Sequence, residues 1–496
     1  MENGTLLAAV DLGSNSFRLE IGRFDGGHIR RIEYHKETVR QGGGLDAARN
    51  LSPEALQRGW DCLARFGERL HGFPGAQVRA VATQTLREAR NRDEFLVHAR
   101  EVLGFPIDVI AGREEARLIY LGVAHLLPQS DERRLVVDIG GRSTELILGH
   151  HFSPQETESY RVGSVSWSQR YFPDGEFTED AFERARVAAL AVLDEAQDRY
   201  PREGWDRAYG SSGTVGAIAD VLTLLGHPPR EVNRDGLLEL KAMLLSAGSI
   251  DRLRIDGLRD DRKPVIGGGL SVLLAVFEVL GIEALEAADG ALRHGALFDL
   301  LDREDAATDV RGATVSRLVS RFALDAAQAH RVAAVAAQLF GQLPHAKGAE
   351  GERHHRKLGW AAQLHEIGTL VSHSNYHKHG AYILDHADAP GFTDAELHRL
   401  GQLVLGHRGK LRKLDVDLGE PVLARQLLCL RLAVILCHAR RDPVLGGLAL
   451  QATADGTRLC APAGWVRRFP QSAHLLREEA NAWLKTPWTF SFAQVE

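Results

Sequence analysis

Two stretches of the sequence share one pattern of apolar and polar positions. AAVDLGSNSFRLEIG begins at Ala8, and LVVDIGGRSTELILG begins at Leu135. Aligning Asp11 with Asp138 also matches a serine, a leucine and a glycine in each copy: Ser16 with Ser143, Leu19 with Leu146, and Gly22 with Gly149. Each stretch is an apolar run, a Gly/Ser turn and a second alternating run, which predicts a β-hairpin. The repeat therefore predicts two related α/β halves that face each other across a cleft.

Helical patterns separate the apolar runs. Ser52 to Leu70 is amphipathic and begins with Ser-Pro-Glu, an N-cap residue followed by proline at the first helical position. A strand is predicted from Gln77 to Ala82, and a helix opens at Ala111-Gly-Arg-Glu-Glu. The same alternation continues to about Leu300. Alternating β and α elements predict a mainly parallel or mixed sheet with helices on both faces.

The pattern changes after Asp302. From there to about Ala439 almost all of the periodicity is helical, and beyond Pro443 a β-like stretch precedes a short helix and an aromatic tail. The predicted domains are therefore the two α/β halves at 1–120 and 121–301, an all-α domain at 302–442, and a small α+β domain at 443–496.

Composition narrows the class of protein. A chain of 496 residues is too long for one hydrophobic core, and 44% hydrophobic with 25% charged residues is typical of globular proteins. Because the net charge is −6, a polyanion would have to be bound by local basic patches. Four cysteines without metal-type spacing and an N-terminus without a signal-peptide pattern predict a reduced, cytoplasmic protein. The apolar stretch from Leu427 to Cys437 contains Arg431 and is predicted to be a buried helix.

Three Gly-rich turns are candidates for binding phosphate. Two are the turns of the repeat, after Asp11 and after Asp138, and the third is Gly210-Ser-Ser-Gly-Thr214 before a predicted helix. Glycine lets backbone N–H groups approach an anion, and a helix N-terminus adds a favourable dipole. A single turn of this kind is usually only a turn, whereas three, two of them homologous, favour a phosphate site.

The carboxylates divide into two groups. Asp11 and Asp138 directly follow apolar strands, and Glu145 lies on the outgoing strand of the second hairpin. Carboxylate oxygens are hard ligands of the kind that Mg²⁺ prefers. Glu114 and Glu115 are adjacent at a helix start, so their side chains diverge by about 100° and at most one faces the cleft. First-turn acids that favour the helix dipole are the alternative explanation of that pair.

The ordered motifs DLGSNSFRL, ATQTLREA, AGREEARLIYLGV, VDIGGRSTEL, YGSSGTVGAIADV and AADGALRHGAL resemble one known family. Together they resemble the exopolyphosphatase and guanosine pentaphosphate phosphatase family, from residue 8 to about 440. The resemblance implies two halves of the actin/sugar-kinase/Hsp70 (ribonuclease H-like) type and an all-α domain of HD-like type.

The resemblance also implies roles for individual residues. Glu115 is similar to the catalytic base that activates water, and Asp138 and Glu145, with Asp11, are similar to the acids that hold Mg²⁺ and position water. The implied phosphate-binding residues come from the three turns and one arginine: Gly13, Ser14, Asn15, Ser16, Arg87, Gly140, Gly141, Ser143, Ser212, Gly213 and Thr214. The expected reaction is direct displacement by water with Mg²⁺ as cofactor, and stimulation by K⁺ is a further expectation.

One residue departs from the family pattern. This sequence has GGRST where the family usually has GGGST, so Arg142 is expected to occupy a turn that favours glycine, at a cost on the order of 1 kcal/mol. Arg142 either adds a cation near the phosphates or points away from them.

The helical region is rich in histidine and in basic clusters. HRVAAVA from His330 and the step His365-Glu366 are similar to the HD phosphohydrolase pattern, but that pattern needs aspartate where Glu366 stands, which favours a structural role. The basic clusters are individually typical of solvated faces, and together they predict a lane for a long polyanion. The lane residues are Arg353, Arg356, Lys357, His377, Lys378, His379, His407, Arg408, Lys410, Arg412 and Lys413.

Exopolyphosphatase, releasing terminal phosphates from inorganic polyphosphate, is the function that the sequence favours. Hydrolysis of guanosine pentaphosphate (pppGpp) at its 5′ end is the alternative, and it needs a guanine pocket that the sequence does not identify. An ATP-dependent kinase or ATPase of the same fold and a non-enzymatic regulator are further alternatives. A homodimer is implied by the resemblance. No nucleic-acid partner is expected, and peripheral membrane association has no amphipathic or lipidation signal to support it.

Overall fold

A computed structural model describes residues 2–26, 28–304, 309–344, 346–411, 414, 416–453, 456–484 and 486–495. The chain forms two compact units, Met1–Thr308 and Asp309–Glu496.

The first half of the first unit is a five-stranded mixed sheet. Its strands are β1 (Leu6–Leu12), β2 (Phe17–Asp25), β3 (His28–Glu37), β4 (Val78–Ala82) and β5 (Ile107–Val109), in the order β3-β2-β1-β4-β5. The first three strands pair antiparallel, and β1, β4 and β5 pair parallel. The helices are α1 (Pro53–Arg69), α2 (Gln84–Glu88), α3 (Arg92–Leu103) and α4 (Gly112–Leu126). As predicted, α1 is capped by Ser52, whose Oγ accepts from the Ala55 N–H at 3.3 Å.

The second half repeats this arrangement. Its strands are β6 (Arg133–Ile139), β7 (Thr144–His150), β8 (Ser153–Tyr160), β9 (Arg207–Ser211), β10 (Glu231–Asn233) and β11 (Ala284–Ala287), in the order β10-β11-β9-β6-β7-β8. The antiparallel β6–β7–β8 and the parallel β6–β9 correspond to β1–β2–β3 and β1–β4. The helices are α5 (Ser164–Tyr171), α6 (Glu179–Leu193), α7 (Ala196–Arg199), α8 (Ser212–Leu224), α9 (Arg234–Ala247), α10 (Ile266–Leu280) and α11 (Leu292–Glu304). The predicted fold class of two related α/β halves is confirmed.

The last helix of the second half packs on the first half. Ala296 and Leu297 of α11 are buried together with Leu7 and Ala9 of β1. The same helix packs along α4. α11 therefore joins the second half to the first through its packing on β1 and α4.

One segment of the described residues has the length and composition of a membrane-spanning helix. It is Lys263–Leu280, and 67% of it is buried inside the protein. Such burial is the ordinary situation of a core helix in a globular unit.

The second unit begins with helices and ends with a small sheet. The helices are α12 (Val310–Arg321), α13 (Ala326–Gly341), α14 (Ala349–Leu364), α15 (Tyr376–His386), α16 (Asp394–Gly406) and α17 (Pro421–Leu436). After them come β12 (Ala449–Thr453), β13 (Gly456–Pro462), α18 (Ala463–Arg468), α19 (Pro470–Trp483) and β14 (Thr489–Val495). Leu459, Trp483 and Phe490 from this last part share one core with Leu428 and Leu432 of α17.

Candidate active site

The carboxyl ends of two equivalent strands carry two buried aspartates. Asp11 lies near the end of β1 and is 3% exposed, and Asp138 lies near the end of β6 and is 9% exposed. Arg18 on β2 donates from Nη1 to Asp11 Oδ2 at 2.9 Å. The repeated hairpins therefore present one aspartate each to the same cleft, as the sequence repeat predicts.

Two glutamates complete the acidic group. Glu145 on β7 is the register partner of Asp138, and its Oε1 accepts from Ser159 Oγ at 2.7 Å. Glu115 lies in the first turn of α4, where its Oε2 accepts from Arg87 Nη1 at 2.8 Å. Its neighbour Glu114 points elsewhere and pairs with Arg117 at 2.7 Å, so only one of the two adjacent acids faces the cleft.

Burial and mutual repulsion raise the pKa of these acids. The pKa of Asp138 rises to about 6 because burial disfavours the charged form and repulsion from Asp11 adds to it, while a hydrogen bond with Ser211 and the charge of Arg18 act in the opposite direction. Burial is also the main cause that raises the pKa of Glu115 and of Glu145, and neighbouring carboxylates add to it. Arg87 is the main opposing influence on Glu115. These buried carboxylates thus lie close enough to repel one another, and a hard divalent cation such as Mg²⁺ fits that set of oxygen ligands.

The first Gly-rich turn connects β1 to β2. Ser14 Oγ accepts from Thr85 Oγ1 at 2.7 Å, and the backbone carbonyl of Ser14 accepts from the Gly42 N–H at 2.8 Å. The hydroxyl of Ser16 is buried and has no hydrogen-bond partner among the residues that the structure describes. A buried hydroxyl without a partner costs free energy unless a ligand or water forms a hydrogen bond with it. The Ser16 hydroxyl therefore favours a polar ligand in this turn.

The second and third turns come from the second half. The Gly140 N–H donates to the Ser143 carbonyl at 2.9 Å, and a Cβ at position 141 would lie 3.1 Å from the Ser14 side chain. Glycine at 141 thus avoids a tight contact where the two turns approach each other. In the third turn Ser212 adopts φ +86°, a left-handed conformation that is uncommon for a non-glycine residue. Ser212 stands at the start of α8, where N–H groups favour an anion.

These turns and acids line one cleft with a volume of about 390 Å³. The sequence-predicted residues on its wall are Asp11, Gly13, Ser14, Asn15, Ser16, Glu115, Asp138, Gly140, Gly141, Ser143, Ser212, Gly213 and Thr214. Glu145 and Arg87 stand behind that wall, Glu145 being 1% exposed and Arg87 being bonded to Glu115. The catalytic, metal and phosphate roles implied by the resemblance stay predictions at every one of these positions.

Arg142 does not have the strained backbone that its position in a Gly-rich turn predicts. Its φ lies outside the left-handed region, so the expected cost of about 1 kcal/mol does not apply. Its guanidinium pairs with Glu88 of the first half, with Nη2 2.8 Å from Oε2, and Nη1 donates to the Gly42 carbonyl at 3.3 Å.

The cleft also has a basic wall, of which the sequence motifs contain only Arg18 and Arg293. Lys36 on β3 and Arg262 in the second half line it, as do Arg18, Arg259 and Arg293. Burial, followed by repulsion from Arg262, lowers the pKa of Lys36. Arg18 lies inside the DLGSNSFRL motif and was within reach of sequence reasoning. Lys36 and Arg262 are more than 200 positions apart, and only the fold brings them together.

The predicted polyphosphate lane lies in the second unit. Arg353, Arg356 and Lys357 are on α14, and His377, Lys378 and His379 are on α15. Arg408 and Lys410 follow α16 and are exposed, whereas His407 is 2% exposed and its Nδ1 donates to the Val404 carbonyl at 2.6 Å. Arg412 and Lys413 lie outside the described residues. The lane as a whole stays a prediction.

The HD-like histidines do not gather metal ligands in the described part of the second unit. Glu366, which follows His365, pairs with Arg440. Among the residues that the structure describes, the grouped side chains close enough to hold a metal ion are Asp131, His150 and His151, which lie in the first unit.

Comparisons with known proteins agree with the two-unit division. The sequence model described as the Ppx/GppA phosphatase family matches residues 21–304, and that of Ppx/GppA phosphatase domain III matches residues 310–480. A guanosine-5′-triphosphate,3′-diphosphate pyrophosphatase of Aeromonas hydrophila is 38% identical over 492 residues, covering 98% of this chain and 99% of that protein. The protein of the same name from Vibrio cholerae is 39% identical over 491 residues, covering 98% of each.

A solved structure is similar over a shorter range. The crystal structure of an exopolyphosphatase-like protein superposes with a TM-score of 0.55 at 26% identity, covering 60% of this chain and 98% of that protein. The match therefore reaches nearly the whole of a smaller relative.

Proposed function

The chain belongs to the Ppx/GppA phosphatase family, and we propose that it hydrolyses the 5′-terminal phosphoanhydride bond of guanosine-5′-triphosphate,3′-diphosphate. The single observation that carries the choice of substrate is the likeness to the Aeromonas and Vibrio pyrophosphatases across 98% of the chain. The basic clusters of the second unit support polyphosphate less strongly, because they are short stretches of sequence, whereas the likeness to the pyrophosphatases spans 98% of the chain. The relatives therefore favour the alternative that the sequence placed second.

Glu115 is the proposed general base. It lies on the cleft wall, and a carboxylate with a raised pKa accepts a proton from water more readily than an ordinary one at neutral pH. The proton moves from water to Glu115 as the water oxygen attacks the terminal phosphorus in line with the bridging oxygen. The bond from that phosphorus to the bridging oxygen breaks, and the bridging oxygen leaves as part of the nucleotide, which keeps a 5′-diphosphate. Arg87 holds the Glu115 carboxylate in one orientation.

Asp11 and Asp138, with Glu145 behind them, are the residues proposed to hold Mg²⁺. When bound there, Mg²⁺ supplies positive charge to the phosphate oxygens. The backbone N–H groups of the three turns and the Ser16 hydroxyl are proposed to hold the terminal phosphoryl group. The basic wall with Lys36 and Arg262 provides the countercharge for the remaining phosphates of a highly anionic nucleotide.

The test is Mg²⁺-dependent phosphate release from the pentaphosphate nucleotide, from long-chain polyphosphate and from ATP, in parallel. Glu115→Gln keeps the shape of the side chain and removes its basicity, so we expect kcat to fall by about 10²- to 10⁴-fold. Glu114→Gln is unsuitable as a control because Glu114 is a buried partner of Arg117. Glu183→Gln, on an exposed face of α6, is the matched control and should keep wild-type kcat. Turnover of ATP alone would contradict the phosphatase assignment.

Exopolyphosphatase activity is the second candidate. The likeness to an exopolyphosphatase-like structure and the basic residues of α14 and α15 favour it. Faster release from polyphosphate than from the nucleotide, at equal concentration of ends, would put this candidate first.

A further inference from the structure

Arg142 lies at the centre of a contact between the two halves of the first unit. It stands in the β6–β7 turn of the second half, and its partners Glu88 and Gly42 belong to the first half. Its Nε and Nη2 both approach Glu88 Oε2, at 3.2 and 2.8 Å. The side chain is 21% exposed and that of Glu88 is 14% exposed, so the pair is largely withdrawn from water.

Glu88 continues the contact into the first half. Its other oxygen, Oε1, accepts from Gln84 Nε2 at 2.6 Å. The amide oxygen of Gln84 accepts from Arg87 Nε at 3.0 Å and from Arg87 Nη2 at 2.6 Å. Only one orientation of the Gln84 amide satisfies a carboxylate on one side and a guanidinium on the other, so both neighbours fix the amide.

Arg87 completes the path to the proposed base. Its Nη1 donates to Glu115 Oε2 and to the Ile110 carbonyl, both at 2.8 Å. Arg142, Glu88, Gln84, Arg87 and Glu115 thus form one continuous set of hydrogen bonds, the bridging network. Two cations, two anions and one amide alternate along it, and every link is charge-assisted.

We propose that Arg142 is a positioning residue, which orients Glu115 through the bridging network when the two halves are at this separation. The proposal rests on the proposed function, because it assigns Glu115 as the base. Arg142 comes from the second half, whereas Glu88, Gln84, Arg87 and Glu115 all come from the first. The network is complete only when the β6–β7 turn meets α2, so it couples closure of the cleft to the orientation of the base.

The alternative role for Arg142 is direct binding of phosphate. The guanidinium is already engaged by Glu88 and Gly42, and Arg142 is not among the residues that line the cleft. If Arg142 bound phosphate directly, its replacement would raise KM. If Arg142 is a positioning residue, its replacement lowers kcat. The two roles are therefore separable by kinetics.

The test compares Arg142→Met, Arg142→Lys, Glu88→Gln and the double variant Arg142→Met with Glu88→Gln. Kinetics are measured with the pentaphosphate nucleotide and with polyphosphate. We expect Arg142→Met and Glu88→Gln each to lower kcat by about tenfold with KM unchanged, since small displacements of a catalytic group cost rate. Arg142→Lys should restore part of the loss, and the double variant should be no slower than the single ones. Arg186→Met is the control, because Arg186 pairs with Glu183 and Glu278 on an exposed face and should leave kcat unchanged.

A second measurement needs no substrate. Hydrogen–deuterium exchange of the backbone amides in 84–88 and in the first turn of α4 should become faster in Arg142→Met and stay as in wild type in Arg186→Met. Unchanged exchange, or multiplicative losses of kcat in the double variant, or a rise in KM alone would overturn the positioning role. If the wild-type protein releases phosphate from neither substrate, the proposed function fails, while the exchange result still decides whether Arg142 fixes α2 and α4.

Discussion

Glu115 shows how one side chain acquires a role from its surroundings. Its sequence neighbour Glu114 has the same chemistry but is bonded to Arg117, whereas Glu115 is turned toward Asp11 and Asp138. Burial raises the pKa of Glu115, and the two aspartates add to the effect. Arg87 acts against both, so its ion pair with Glu115 is the main influence that keeps the pKa of the proposed base from rising further.

Removing that ion pair should move the pH dependence of the reaction. A raised pKa means that Glu115 is protonated, and inactive as a base, below that pKa and becomes active as pH rises through it. Arg87→Met removes the main influence that lowers the pKa of Glu115, so the acidic limb of kcat/KM should shift to higher pH. The measurement is the pH profile of kcat/KM, with Arg186→Met as the control. An acidic limb that stays in place would show that another group sets it.

At the scale of elements, α4 is held between the cleft and a buried ion network. Glu114 and Arg117 on its inner face meet Asp299 of α11, and Arg303 donates to Asp299 at 2.6 Å. Asp299 is 1% exposed and Glu114 is 2% exposed. This network fixes the helix whose first turn carries Glu115.

Breaking the network should destabilise the first unit. Arg117→Met leaves two buried carboxylates with one fewer cation, for which we expect a loss of about 3–5 kcal/mol in the free energy of unfolding. Hydrogen exchange of the α4 amides measures this free energy within the first unit alone. Arg186→Met, which removes an exposed ion pair, should change it by less than about 1 kcal/mol. A similarly small loss in Arg117→Met would mean that Arg79, which also pairs with Glu114 at 3.4 Å and with Asp299, compensates for the missing cation.

The elements that the sequence predicts well are those whose signals are local. The apolar runs ending at Asp11 and Asp138, each followed by a Gly/Ser turn, identify β1–β2 and β6–β7 because strand and turn lie within fifteen residues. The packing of α11 on β1 joins positions almost 300 residues apart and leaves no local signal. The ordinary backbone of Arg142 was mispredicted because a Gly-rich turn need not use φ > 0; here its glycines allow close approach instead.

The same limit applies to the site. The acids and turns that line the cleft lie in motifs, whereas Lys36 and Arg262 meet only after folding. The choice between nucleotide and polyphosphate depends on such non-local groups. Sequence motifs shared by both branches of the family therefore identify the reaction more readily than the substrate.

At the scale of the whole molecule, the two units have separate hydrophobic cores. The core of the second unit runs from Val315 to Phe490, and the buried clusters of the first unit lie before residue 304. The exopolyphosphatase-like relative matches 60% of this chain and is itself 98% covered, so a shorter chain of this kind exists as a folded protein. The cleft, its acids and its three turns all belong to the first unit.

The fragment Met1–Thr308 should therefore fold and hydrolyse the pentaphosphate nucleotide, because its core and proposed catalytic residues are complete. If the basic residues of the second unit guide long polyanions, the fragment should lose the salt-sensitive part of polyphosphate hydrolysis that the full chain shows. The measurement is kcat/KM for long-chain polyphosphate against NaCl concentration. The full-length variant with Lys378, Arg408 and Lys410 all changed to Ala keeps the second unit and should show the same weaker salt dependence, since these three cations are exposed. An unchanged salt dependence in both proteins would contradict the predicted polyphosphate lane. The nucleotide, whose phosphates the basic wall of the cleft is proposed to bind, would then remain as the substrate.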